Sequence, residues 1–140
     1  GKAPDKILVF RDGISEGQYK NVLETELQQL KVRARQENPA TKLTMICISK
    51  RINTRFFDVS RGADRPANPV SGTVVDNSIV SANIAQFFLV SQLTNQGTVS
   101  PTSYDVIHDE MGWPLVEYQR LMYKLCHLYY NWTVSLKLWK

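Results

Sequence analysis

At 140 residues the chain is long enough for one domain with a real core and too short for two comfortable ones. Hydrophobic residues at 43% and charged residues at 21% exclude a disordered chain, and no apolar run approaches the length that spans a bilayer. A net charge of +4 with a pI near 9.1 permits a polyanionic partner without requiring one, so the placement of positive charge decides.

The start, Gly1 to Lys6, has no apolar signal core, which argues against secretion. Cys47 and Cys126 each sit inside an apolar pattern and read as reduced core residues of an intracellular protein. Ile7, Leu8, Val9 and Phe10 form a run without helical spacing, which suits a strand buried on both faces. The run stops at Arg11-Asp12 and then Gly13. A carboxylate at the end of a buried strand, before a tight turn and a helix start, is where α/β proteins place ligand groups. An Asp before Gly also serves as an ordinary turn residue.

Ser15-Glu16-Gly17-Gln18 offers a helix start, and Tyr19, Val22, Leu23, Leu27 and Leu30 then recur at helical spacing. The helix fades through residues 31–37 and ends before Asn38-Pro39. Residues 42–49 form a second continuously apolar strand, completing a βαβ unit and a sheet that is at least partly parallel. Lys50, Arg51 and Arg55 follow that strand's end, on the same sheet edge as Asp12, and Phe56-Phe57 comes next. Taken alone, these cations read as a solvated turn.

Residues 58–71 are loop by composition. Residues 72–76 form a short strand ending at Asp76, and 86–91 another, leading through Gln92 to a turn at 95–97. Residues 104–108 alternate and so predict a half-exposed strand. Trp113-Pro114 opens a second long helix, whose buried face comprises Leu115, Tyr118, Leu121, Met122, Leu125, Cys126 and Tyr129. His127 falls within that helix and reads as a core or hydrogen-bonding residue, while His108 carries no assigned role. Residues 133–140 alternate and predict a final strand.

Phe10 to Gln18, reading FRDGISEGQ, resembles the RDG(V/I)SEGQ signature of the PIWI domain in the Argonaute/Piwi family. Lys50-Arg51 with Thr54-Arg55-Phe56-Phe57 is similar to that domain's KR..TRFF segment. Gly72 to Asp76, Gln96 to Tyr104 and Leu125-Cys126-His127 recur in the family's order, so the resemblance covers nearly the whole chain and is closer to the Piwi branch. It implies an α/β, ribonuclease-H-like mixed sheet flanked by helices. It also implies that residues 1–140 form a partial PIWI domain, lacking the first strands and the C-terminal end.

The implied reaction is guided cleavage of target RNA with two Mg²⁺ or Mn²⁺ ions, Asp12 being catalytic and a metal ligand. The rest of the family's set, an Asp, a Glu and usually a His, comes from outside this stretch, so this chain alone is expected to be catalytically silent. Lys50, Arg51 and Arg55 are implied contacts to phosphates of a single-stranded small guide RNA. Gln92 and Ser100 stand at phosphate-contact positions that are His and Arg in many Argonautes, and Asn131 replaces another Arg. Asp76 is shared with the family outside its catalytic set and reads as structural.

The implied partners are guide and target RNA and silencing-complex proteins, with no membrane. The implied location is cytoplasmic, ribonucleoprotein granules included, with the nucleus as the other compartment. A guide-RNA-binding module without cleavage, recruiting silencing partners, is the alternative; an unrelated α/β domain is the bland reading. A sheet lacking its first strands exposes an apolar edge, so self-association of the isolated chain is also expected.

Overall fold

The computed structural model describes residues 3–60, 62, 64 and 66–128. Five strands form one mixed sheet: β1 Lys6–Asp12, β2 Lys42–Ser49, β3 Thr73–Val75, β4 Ala85–Val90 and β5 Thr102–Asp109. Their order across the sheet is β1-β2-β5-β4-β3. β1 and β2 are parallel, from Lys6 opposite Lys42 to Asp12 opposite Ile48, and the remaining pairs are antiparallel. The βαβ unit expected over residues 7–49 is therefore present.

Its crossover is broken rather than continuous. A short 3-10 turn, Glu16–Gln18, leads into α1 Tyr19–Glu24, and α2 Glu26–Glu37 follows after Thr25. Thr25 Oγ1 donates to the Asn21 carbonyl at 2.6 Å, a back-bond that bends a helix. The two segments present Val22 and Leu27 to one face of the sheet, while Leu30, expected there, is exposed. Asn38, in an extended conformation before Pro39, ends α2.

Period-two alternation divides β2 between two cores. Leu43 and Met45 join Val22 and Leu27 beneath α1 and α2, with Ile7 and Val9 of β1 alongside. Ile46 and Ile48 face the other way, onto α3 Leu115–Leu125. There Tyr118, Met122 and Cys126, spaced four apart, pack on Phe87, Leu89, Tyr104 and Val106. Each such fully buried side chain contributes about 1.5–3 kcal/mol of transfer free energy. The free cysteines Cys47 and Cys126 are buried, as expected.

Four expectations are corrected. β5 is a central strand with Thr102 to Val106 buried, not a half-exposed one, because Ser103 and Asp105 find a partner inside the sheet in Gln86. β1 is only half-buried, since among the described residues it pairs on one side, with β2. His127 lies beyond the end of α3 and is exposed rather than core, while the expected hydrogen-bonding role is met, its Nδ1 lying 2.8 Å from the Tyr123 carbonyl oxygen. The crossover is two helices rather than one. The strand expected over 133–140, Tyr129 and Asn131 lie outside the described residues.

Candidate nucleic-acid interface

Because β1 and β2 run parallel and in register, their C-terminal ends reach the same sheet edge. Asp12 closes β1, and Gly13 turns the chain with φ of 78°, a conformation L side chains rarely adopt. Lys50 follows β2, and its Nζ lies 2.5 Å from Asp12 Oδ2, the two side chains being 20% and 44% exposed. Asp12, Ser15, Ser49, Lys50 and Arg51 line a cleft of about 550 Å³. The sequence therefore placed a carboxylate and a cation at one edge; the fold puts them in contact.

Two arrangements hold this edge in shape. Arg11 Nε and Nη2 donate to the two oxygens of Glu26, at 2.9 and 3.2 Å, and Nη1 donates to the Asp12 carbonyl at 2.6 Å. Hydrogen bonding and charge from Glu26 raise the Arg11 pKa above its ordinary value. Both partners are about two-fifths exposed, so this fork contributes geometry more than energy. Behind it, the buried Asp105 carboxylate accepts from the Tyr19 hydroxyl, from Gln86 Nε2 at 2.6 Å and from Ser103 Oγ at 3.2 Å. Burial, and then the Asp105 charge, push the Cys47 thiol up to about 12, which keeps it neutral and unreactive near neutral pH.

Sequence reasoning missed Arg11, Glu26 and Asp105 as supports. Glu26 and Arg11 are fifteen residues apart, so only the helix crossover joins them. The one available signal for Asp105 was a second polar residue, Gln86, on a neighbouring apolar strand, which stands opposite it in register.

The other expected site residues share this end of the molecule without all meeting. Arg51 is exposed on the cleft wall. Arg55 is exposed too, with Nη1 donating to the carbonyls of Ile52 and Thr54 at 2.6 and 2.7 Å. Phe56 anchors this segment edge-to-face on Phe88, ring centroids 5.5 Å apart. Gln92 and Ser100 are half-buried, flanking the β4–β5 connection; that connection reaches the same edge because Leu89 pairs Thr102 and Ser49 pairs Ser103. Neither lines the cleft with Asp12. Asp76 accepts from Gln119 Nε2 at 2.8 Å, a structural tie between β3's end and α3.

The residues present do not by themselves fit a pair of divalent cations. Asp12 is the sole carboxylate lining the cleft and is neutralised by Lys50. Among the described residues no group of three His, Cys, Asp or Glu could hold a metal ion. Hard cations require several oxygen ligands each. No helix among the described residues is long and apolar enough to cross a membrane.

Comparison with known proteins shows the family and the fold. The family model for the Piwi domain matches residues 1–139. The chain is 43% identical over 139 residues to Piwi-like protein Ago3 of Bombyx mori, covering 98% of this chain and 15% of that protein. It is 42% identical over 137 residues to Protein piwi of Drosophila melanogaster, covering 94% of this chain and 16% of that protein. The chain thus spans about 15% of the length of the curated relatives it matches. The crystal structure of Drosophila Piwi matches with a TM-score of 0.83 at 37% identity, over 96% of this chain and 18% of that one. Kluyveromyces polysporus Argonaute with a guide RNA matches with a TM-score of 0.83 at 28% identity, over 96% and 18%. The mixed sheet with helices on its faces is accordingly ribonuclease-H-like, as the sequence resemblance implied.

Proposed function

Since this chain belongs to the Piwi domain family, we propose that it grips the phosphate backbone of a small guide RNA within an RNA-silencing protein. The observation that carries this reading is the cleft at the ends of β1 and β2, where Lys50 and Arg51 present cations beside Ser15 and Ser49. Lys50, Arg51 and Arg55 contact phosphates, with Gln92 and Ser100 contributing polar contacts farther along the same edge. Such contacts fix a strand's path without reading its sequence. The relative solved with a guide RNA supports the same partner class.

Asp12 is the one carboxylate this chain would add to a Mg²⁺ or Mn²⁺ ligand set completed elsewhere in the whole protein, for cleavage of a complementary target RNA. A second reading, a guide-binding module without cleavage that recruits silencing partners, is favoured by the pairing of Asp12 with Lys50. Either activity would be exercised where the guide RNA is, in the cytoplasm, ribonucleoprotein granules included, or in the nucleus.

Guided cleavage by the complete protein separates the two. With a labelled complementary target and Mg²⁺, the first reading expects cutting that Asp12→Ala abolishes while guide stays bound. Guide retention without cutting by either form establishes the second. Guide retention indifferent to Lys50→Ala would refute both.

A further inference from the structure

We infer that Asp12 is an internal competitor of RNA phosphate for Lys50, holding the cleft in a self-inhibited state until their ion pair opens. This rests on the phosphate-gripping reading above. A carboxylate oxygen and a phosphodiester oxygen offer an ammonium the same kind of charge-assisted acceptor. With Nζ 2.5 Å from Asp12 Oδ2, one of the ammonium's three donors and much of its charge are already committed to Asp12, so an arriving phosphate meets a rival anion at Lys50.

The surroundings make this an obstacle that the chain cannot easily drift away from. The parallel register sets Asp12 and Lys50 side by side, and Arg11 Nη1 fixes the Asp12 backbone through its carbonyl. Lys50 is only one-fifth exposed, so its stem is committed to the cleft, whereas Asp12 is the more open partner and the one placed to swing out. A partly exposed pair of this kind lowers the affinity of a competing anion by about two- to fivefold. Asp12 also repels phosphate at longer range. A double-mutant cycle distinguishes that general repulsion from competition for one ammonium.

The test is equilibrium binding of a fluorescently labelled single-stranded RNA to the complete protein, in chelator and without divalent metal. Wild type, Asp12→Asn, Lys50→Met and the double variant are compared, each first checked for a cooperative melting transition. Should Lys50→Met fail that check, Lys50→Gln replaces it. Competition predicts that Asp12→Asn tightens binding about two- to fivefold, and that this gain vanishes when Lys50 is Met. An equal gain in both backgrounds, or no gain in either, overturns the inference while leaving the phosphate grip intact. Affinity unchanged by Lys50→Met overturns the grip itself, and the competitor with it.

Discussion

Glu110, just past β5, joins two helical cations to the far end of the sheet. Its Oε1 lies 2.8 Å from Lys31 Nζ, 2.9 Å from Arg35 Nη2 and 3.3 Å from His108 Nε2, and its Oε2 accepts the Leu43 N–H at 3.0 Å. Burial alone would raise this carboxyl, but these donors, Lys31 foremost, outweigh it and hold it at about 2 against an ordinary 4.5. A depressed carboxylate stabilises the fold above its unfolded pKa and loses that contribution as pH falls through the folded value. Glu110→Gln should therefore be less stable than wild type at neutral pH, by about 1–2 kcal/mol. In urea titrations the gap should close as pH is lowered from about 4.5 towards about 2. A gap that does not change with pH would show that charge at Glu110 is irrelevant. This cluster is at the opposite end of β2 from the cleft, so its variants report on the fold and leave the interface alone.

At the scale of elements, the polar seam between α1 and the sheet decides how the crossover seats. Tyr19 is the only helical residue that supplies Asp105 with a hydrogen bond among the bonds described, and Asp105 is 3% exposed. Burial first, and then this bond, raise the Tyr19 pKa, so the phenol remains a donor throughout the working pH range. Removing the donor under a buried acceptor costs about 1–3 kcal/mol. Tyr19→Phe should accordingly lower the urea midpoint without changing the slope of the transition; a shift within error would remove the seam from the account. The same seam explains what the sequence hid. The runs in β1 and β2 were legible because consecutive apolar residues declare strands before any partner is known. β5 was misread because Ser103 and Asp105 look like a solvent face, yet Gln86 of β4 satisfies both. Nor could spacing reveal the break at Thr25, since a threonine back-bond competes only once a helix exists. His127 was misplaced because the apolar pattern runs past the residue where α3 actually stops.

Across the whole molecule, the topology separates structure from function. α1 and α2 cover one face of the sheet, α3 the other, and strand ends from β1, β2, β4 and β5 converge on one edge. That edge was legible as a location, because a βαβ unit brings Asp12 and Lys50 to the same side. Their contact was not, because a 2.5 Å approach depends on rotamers and on the Gly13 turn. β1 is the margin of the sheet among the described residues, where a further strand would pair.

Whether Lys50 grips phosphate in this cleft is tested most directly by the salt dependence of RNA binding. Each phosphate contact to a single strand contributes about 0.7 to the slope of log affinity against log salt. In the complete protein, Lys50→Met should reduce that slope by about 0.7 and weaken binding equally for unrelated RNA sequences. A slope that stays at its wild-type value, whatever the affinity, would contradict the account.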